Sequence, residues 1–355
     1  MRVALNTYPL HSAHKSRGIG YYTLNLLENL KKDKDIEVLE FTNISEVKDV
    51  DVVHYPWFDF FFHSLPVKKR FPTVVTIHDT TPLIFPKHYP LGVRGKFSLF
   101  LQKVSLRGSK FIIADSENSK SDIVKYFKVK ESKIKVVSLA ADSIFKPLKD
   151  TQLLHVKRKF KLPDNFLLYV GDANWVKNLQ FLIRGFKKLS EEGFKDLRLV
   201  LIGKVFLKNV ENINHPELES LKQVNRLIRE FNLEERIIRP GFIDDEDLVA
   251  FYNLATMYIQ PSLYEGFGLP VLQALQCGTP VVSSDRGSLS EVGGKAAVFF
   301  NPTNLNQFSS IVSEILQNKS LQSRLSELGF KQASNFSWEK VASETKIVYK
   351  DAISK

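Results

Sequence analysis

Short β-branched runs alternate with longer helix-like stretches along the first part of the chain, and this alternation constrains the fold more than any other feature. The runs cover residues 3–6, 37–41, 52–55, 74–77, 111–114 and 135–139, with helical patterns over 20–30 and 119–127 between them. Apolar runs this short, joined by stretches long enough to cross over, fit a parallel sheet covered on both faces. After the polar, Pro-containing stretch Lys146-Pro-Leu-Lys-Asp150 the pattern starts again, over 166–170, 197–202, 237–239, 257–260, 280–283 and 297–300. A chain of 355 residues exceeds what one core usually organises, so the repetition is read as two α/β domains joined near Lys146. In such sheets ligands gather beyond the carboxyl ends of the strands. The loops at 171–172, 203–204, 241–242 and 261–262 are therefore expected on one rim.

Chemistry concentrates in Ser262-Leu-Tyr-Glu-Gly-Phe-Gly-Leu-Pro-Val-Leu-Gln-Ala-Leu-Gln-Cys-Gly-Thr-Pro-Val-Val-Ser-Ser-Asp285. Pro270 suits a first helical position, where a missing N–H costs nothing, and Gly278 suits the left-handed residue that ends a helix. Gly266 and Gly268 carry no side chains to hold a ligand away, so free amides at this helix start can face an anion. Glu265 stands at the mouth. A carboxylate beside an anion site is costly unless the ligand also brings hydroxyls, which points to a sugar attached to a phosphate. The bland alternative is a capped core helix with tight turns. Upstream, the loop Gly171-Asp-Ala-Asn-Trp-Val-Lys-Asn178 supplies in Lys177 the charge a diphosphate needs. Gly18 and Gly20, in a loop ahead of an apolar Leu24, Leu26, Leu27, Leu30 face, let a helix start approach a ligand. They fail as a dinucleotide fingerprint for want of a third glycine. His78 follows the buried run 74–77, a place where a histidine is more often a satisfied core residue than a catalyst.

These residues resemble the donor-site signature of retaining GT-B glycosyltransferases of family 4, the glycosyl transferases group 1. That signature has two glutamates separated by seven residues around a Gly-Phe-Gly-Leu-Pro turn. Glu265 matches the first; the second place holds Gln273, which bonds hydroxyls without a charge-assisted interaction. The resemblance implies two Rossmann-like domains facing across a cleft: an acceptor domain over 1–147, a nucleotide-sugar donor domain over 148–335, and a helix over 336–355 crossing back to the first. It implies phosphate contacts from Lys177, Asn178 and the amides of Gly266, Phe267, Gly268 and Leu269. Glu265 would hold the sugar hydroxyls, Gln273 the ribose, and His78 the transferred sugar or acceptor, with Asp79 orienting His78 or the acceptor. A glycine-rich loop at Gly18 and Gly20 would touch the ligand. Here Arg17 replaces a further glycine, and Asp172 and Val176 stand where the family commonly has a phosphate-binding arginine. Ser288-Leu-Ser-Glu-Val292 resembles a Ser-Leu-Pro-Glu-Val loop, making Glu291 a further candidate. Phe336-Ser-Trp-Glu-Lys340 resembles the start of the terminal helix, with Ser337 as its cap.

The implied activity is a metal-independent retaining hexosyl transfer in polysaccharide biosynthesis, with a nucleotide sugar as co-substrate and no other cofactor. No Asp-x-Asp pair or cluster of His and carboxylates calls for a divalent ion. The His78-Asp-Thr-Thr-Pro82 neighbourhood points to mannose from GDP-mannose, with UDP-linked donors next, and a glycan or lipid-linked acceptor. The alternatives are a non-catalytic nucleotide-sugar binding protein, suggested by Gln273, and a basic nucleic-acid-binding protein, suggested by charge alone. The net charge is +11, and residues 64–135 hold 15 Lys and Arg against 5 Asp and Glu. No nucleic-acid motif accompanies that stripe, so an anionic membrane surface is the expected partner and nucleic acid is not. No apolar run approaches the roughly 20 residues that span a bilayer. The aromatic run Trp57-Phe-Asp-Phe-Phe-Phe62 is expected in the core. The single Cys277 excludes an intramolecular disulfide, and with a start that lacks a signal-like apolar stretch it fits the cytoplasm, peripheral on the membrane's cytoplasmic face.

Overall fold

The computed structural model of the chain describes residues 1–12, 18–210, 213 and 215–354. They form two compact units, Met1–Ala140 together with Phe336–Lys355, and Ala141–Asn335. Of the stretch 146–150, read as the connection, Lys146 and Leu148 are bound within the second unit, as is Phe145 just before it. Asn253 exchanges hydrogen bonds of 3.0 Å with the Lys146 carbonyl and the Leu148 amide, and Phe145 meets Tyr252 edge-on.

The first unit is a six-stranded sheet of β1 (Arg2–Asn6), β2 (Glu37–Phe41), β3 (Val52–Tyr55), β4 (Thr73–Ile77), β5 (Phe111–Ala114) and β6 (Ile134–Val136), in the order β2-β1-β3-β4-β5-β6. Every neighbouring pair is parallel. All residues of β3, β4 and β5 are buried, which is why these strands read as unbroken apolar runs. The helices are α1 (Gly18–Lys31), α2 (Thr81–Ile84), α3 (Gly92–Arg107), α4 (Glu117–Phe127) and the terminal α13 (Trp338–Ser354). Gly18 and Gly20 lie not in a loop but within helix α1. It buries Tyr22, Leu26, Leu27 and Leu30, whereas Leu24, expected on that face, falls outside the stripe they define and is exposed. The Ser337 hydroxyl caps α13 by accepting from the Lys340 amide. Lys346 of α13 reaches Asp33 and Asp35 at 2.7 and 2.9 Å, and Asp351 meets Lys135 at 3.0 Å. Trp57, Phe58 and Phe60 are core residues as expected; Phe61 and Phe62 are exposed.

The second unit is a six-stranded parallel sheet of β7 (Phe166–Val170), β8 (Arg198–Ile202), β9 (Ile237–Gly241), β10 (Met257–Gln260), β11 (Val281–Ser284) and β12 (Ala297–Phe300), ordered β12-β11-β10-β7-β8-β9. Around it lie α5 (Asp150–Lys159), α6 (Leu179–Glu191), α7 (Pro216–Glu230), α8 (Asp245–Leu254), α9 (Leu269–Gln276), α10 (Leu289–Gly293), α11 (Leu305–Gln317) and α12 (Lys319–Ala333). Helix α6 buries Leu182, Ile183, Phe186 and Leu189, each contributing about 1.5–3 kcal/mol of burial. Gly185 lets α11 close on it, since a Cβ there would lie 2.5 Å from the Phe308 ring. Cys277 is buried, and burial pushes its thiol up to about 12.

Both sheets reverse direction once. In the first the chain steps from β1 out to β2 and returns to β3; in the second it runs β7, β8, β9 and returns to β10 beside β7. Crevices open at the carboxyl ends of strands where the order reverses. Among the described residues no helix is long and apolar enough to cross a membrane.

Candidate active site

At the reversal between β7 and β10 two loops are tied together. Asn178, left-handed at φ 54° ahead of α6, donates both side-chain N–H groups, to the Pro261 and Pro302 carbonyls at 3.1 Å each. The Leu263 amide donates to the Val176 carbonyl at 2.7 Å. These bonds bring Lys177, at the end of the turn Trp175–Lys177, onto Glu265: Nζ lies 2.7 Å from Oε1 and 2.9 Å from Oε2. Gln260 Nε2 and Ser262 Oγ donate to Oε1 at 2.8 and 2.6 Å, and both residues are buried. Oε1 is thus saturated while Oε2 holds one bond. An ammonium has three donors and a carboxylate about four acceptor sites, so one Lys177 N–H and part of Oε2 stay available. With side chains 22% and 13% exposed, the pair can be reached by a ligand that sets an anion beside a hydroxyl.

The turn after Glu265 leads into α9 through Gly268, left-handed at φ 103°. The helix begins at Leu269, which makes Pro270 its second residue rather than its first; amides here have no partner inside the helix, so the missing N–H still costs nothing. Gly278 ends it at φ 75°, as its sequence position suggests. From behind, the Ser288 hydroxyl sits 3.0 and 2.8 Å from the Glu265 and Phe267 carbonyls. A Cβ on Gly287 would meet the Glu265 carbonyl at 2.5 Å. Gly266 and Phe267 are buried within this turn. Gln273, half-buried on α9, accepts from the Tyr252 hydroxyl at 3.0 Å, which leaves its NH₂ group as a donor. Asp172 is exposed and accepts from the Ala173 amide; Glu291 is exposed on α10. Neither is a partner of the Lys177–Glu265 pair. Asn178, expected on the phosphate, spends its side chain on bracing the loops.

In the first unit, the register Ile77↔Ala114 sets His78 and Asp115 side by side beyond β4 and β5. His78 Nδ1 lies 2.8 Å from Asp115 Oδ2, and Nε2 lies 3.0 Å from the Pro56 carbonyl. A carbonyl and a carboxylate both accept, so both ring nitrogens donate and the ring is held as an imidazolium. Burial lowers the His78 pKa, but the Asp115 charge and hydrogen bond, aided by the Pro56 carbonyl, outweigh it and hold the group above its ordinary value. Burial pushes the Asp115 carboxyl up, with His78 opposing, and among the described residues Oδ1 of Asp115 has no hydrogen-bond partner. Asp79, expected to orient His78 or the acceptor, accepts from the Thr81 amide at 3.0 Å and acts on His78 through its charge, while the neighbouring strand supplies the carboxylate that bonds the ring. Asp115 was missed, although it follows a buried run just as His78 does. Also missed was the buried relay behind it. Tyr22 packs edge-on to His78 and bonds Thr76 at 3.1 Å; His54 bridges Thr76 at 2.8 Å and Tyr349 of α13 at 2.7 Å. Arg17 lies outside the described residues.

Comparison with known proteins places these features in a family. Residues 150–332 match glycosyl transferases group 1, and residues 36–143 match Glycosyltransferase Family 4. The O-antigen chain mannosyltransferase B of Escherichia coli is 31% identical over 278 residues, 78% of this chain and 70% of that protein. The serotype-specific mannosyltransferase WbdA of Escherichia coli is 30% identical over 275 residues, 76% of this chain but 32% of WbdA, so the chain spans about a third of that relative. Among solved structures, sucrose-phosphate synthase from Thermosynechococcus elongatus aligns with a TM-score of 0.78 at 19% identity, covering 99% of this chain and 98% of that one. HepE of Anabaena in complex with UDP-glucose aligns at 0.75 and 14% identity, covering 99% and 100%. These likenesses carry the two-domain α/β architecture named GT-B, and with the sequence matches they establish that the chain belongs to the glycosyl transferases group 1 family.

Proposed function

We propose that this glycosyltransferase moves a mannosyl residue from GDP-mannose to a hydroxyl of a glycan, with retention at the anomeric carbon and without a metal ion. The observation that carries the proposal is the Lys177–Glu265 pair held at the start of α9. As the anomeric C–O bond breaks, charge develops on the leaving diphosphate, and fixed donors aimed there lower the barrier. The remaining Lys177 N–H and the unpaired amides at Gly268 and Leu269 take that role. Oε2 of Glu265 accepts from a sugar hydroxyl, and the NH₂ group of Gln273 meets the ribose. The mannosyl assignment draws on the two Escherichia coli relatives. His78, held by Asp115 and the Pro56 carbonyl, acts through its charge on the acceptor hydroxyl oxygen as that hydroxyl gives up its proton, since the sugar ring itself becomes electron-poor.

The same proposal includes docking on an anionic membrane surface through α3. Its inner face buries Gly95, Leu99, Gln102 and Leu106, while Val93, Phe97, Phe100 and Val104 repeat that spacing on the outer face, exposed at 88%, 64%, 61% and 36%. Arg94, Lys96, Lys103 and Arg107 flank the outer stripe, and apolar wedges between cations suit an interface of acyl chains and acidic headgroups.

The test is thermal shift of the full chain with GDP-mannose, GDP-glucose, UDP-glucose and UDP-N-acetylglucosamine. A specific ligand stabilises the state it binds. The largest rise is expected with GDP-mannose; a flat response to all four refutes the donor assignment.

A further inference from the structure

The chain holds two runs of three consecutive cations, and the structure treats them differently. In Lys157-Arg-Lys159 the outer two are neutralised, Lys157 by Asp164 and Lys159 by Asp247. In Lys68-Lys-Arg70, on the crossover from β3 to β4, none meets a carboxylate among the described residues. Instead the three line a pocket of about 170 Å³. Val53 and Thr73, register partners near the amino ends of β3 and β4, line it too, as do Ile44, Phe71 and the hydroxyl-bearing Ser45. Thr73 opens β4, so it lies at the other end of that strand from His78. No Asp or Glu among the described residues lines the pocket, and Glu46, beside Ser45, is exposed and outside the lining.

Lys69 makes this more than a basic surface. It is half-buried, and its stem packs on the end of α3, where a Cβ on Gly108 would lie 3.4 Å from its Cγ. Nζ donates to the carbonyl of Pro66, another lining residue, and two of its three N–H groups have no acceptor among the described residues. The carbonyls on either side of Gly108 are already taken, since those of Arg107 and Ser109 accept from Lys133 at 3.1 Å each. An ammonium withdrawn from water without a counter-charge is costly, and burial lowers the Lys69 pKa to about 8. Beside it, the Arg70 guanidinium stands 5.3 Å from the Phe71 ring centroid, with no hydrogen-bond acceptor among the described residues.

We infer that this pocket is a binding site for a phosphate group, with Lys69 and Arg70 as its charged contacts and the Ser45 hydroxyl as a further donor. Charge and size choose the ligand. A neutral sugar would leave three cations without a counter-charge, and a carboxylate brings one charge and one plane of acceptors. A phosphate ester brings up to two charges and three acceptor oxygens in a tetrahedral array, and 170 Å³ holds it. Ile44, Val53 and Phe71 suit the carbon group attached to it. That group belongs to a lipid or to a free phosphate compound. Phosphate binding does not depend on the transfer reaction proposed above; the lipid source alone rests on the docking proposed for α3, whose end carries Lys69.

Acetic anhydride footprinting of the full chain tests this, because mass spectrometry follows Lys69 separately from Lys177 at the donor site. Acetylation of Lys69 is compared with that of the exposed Lys295 at pH ~8 and constant ionic strength. The ligands are inorganic phosphate, glycerol 3-phosphate, dihexanoylphosphatidic acid and, as a phosphate-free amphiphile, hexyl glucoside. A bound phosphate that raises the Lys69 pKa by about one unit cuts its free amine at that pH roughly fivefold, and acetylation should slow as much. Arg70→Gln should raise the phosphate concentration needed by about fivefold, the worth of one exposed charge pair. Protection by phosphatidic acid at lower concentration than by glycerol 3-phosphate supports the site with a lipid headgroup as its source; equal or better protection by the free compounds supports it with a soluble one. No protection by any phosphate compound, equal protection by hexyl glucoside, or protection unchanged in Arg70→Gln overturns the site. Arg70 is exposed, so its replacement spares the fold. Phe97→Ser with Phe100→Ser, which tests the docking of α3, should leave protection by glycerol 3-phosphate intact, so failure of that docking and failure of this site are told apart.

Discussion

Replacing Glu265 separates its two jobs, bracing the loop and holding the sugar. Glu265→Ala removes the acceptor of Gln260 Nε2, Ser262 Oγ and Lys177 Nζ at once. Lys177 is partly exposed and water can re-solvate it, so its loss counts little. Gln260 and Ser262 are buried, and although Gln260 Nε2 still reaches Ser262 Oγ at 2.7 Å, the Ser262 hydroxyl is left without its acceptor. Leaving a buried donor unpaired costs about 1–3 kcal/mol, so the alanine variant should lose on the order of 3 kcal/mol. Glu265→Gln keeps an oxygen where Ser262 and Gln260 donate but sets an uncharged group against Lys177, for a loss of about 1 kcal/mol. Turnover should behave differently. Both variants lose the charged acceptor for the sugar and the orientation of Lys177, and removing one preorganised group of this kind costs ~10²–10³ in kcat. The measurements are mannosyl transfer at saturating GDP-mannose, and hydrogen exchange over residues 257–276, which reports local opening. The alanine variant should exchange faster there and the glutamine variant nearly as wild type, with both almost inactive. Full turnover in Glu265→Gln would make the residue a brace and nothing more. An alanine variant with unchanged exchange would refute the hydrogen-bond argument itself.

Other outcomes follow from the same structure. His54 is buried, and burial holds its pKa down to about 3 against an ordinary value near 6.5, so the unfolded chain binds a proton that the folded one refuses. Stability should therefore fall as pH drops below ~6.5, by about 2 kcal/mol at pH 5; urea midpoints across pH 5–7.5 check this, and His54→Asn should flatten that limb. The His78 pKa is raised, so its contribution is complete below the unfolded value and fades as pH climbs through the folded one, giving a decline on the alkaline side. In α3, Phe97→Ser with Phe100→Ser should abolish co-sedimentation with vesicles rich in phosphatidylglycerol and leave soluble-acceptor turnover unchanged; undiminished sedimentation would count against membrane docking there. Transfer should persist in excess EDTA, and loss of turnover restored by a divalent ion would refute the metal-free scheme.

What could be read from the sequence, and what could not, divides along physical lines. Strands buried on both faces announce themselves as continuous apolar runs, and β3, β5, β7 and β10 fall where those runs lie. Helix α3 left no such signal because it carries one apolar stripe inward and another outward, which erases the contrast that makes a helix visible. Lys177 and Glu265 were legible because each follows a strand by a short loop of marked composition. Their contact depends on strand order, since β7 and β10 are neighbours only where the chain reverses. The same dependence hid Asp115: nothing along the chain says that β5 lies beside β4, so the nearby Asp79 looked like the partner of His78. Strand order also bears on the loops at 203–204 and 241–242, which share one rim with that at 171–172 as expected. They follow β8 and β9, on the far side of β7 from β10. Gly203 donates to the Gly241 carbonyl at 2.9 Å, and a Cβ on it would meet the Gly171 carbonyl at 2.2 Å. These glycines serve close backbone contact between loops, which steadies the turn carrying Lys177, and a glycine at a strand end therefore announces a ligand only where the strand order reverses.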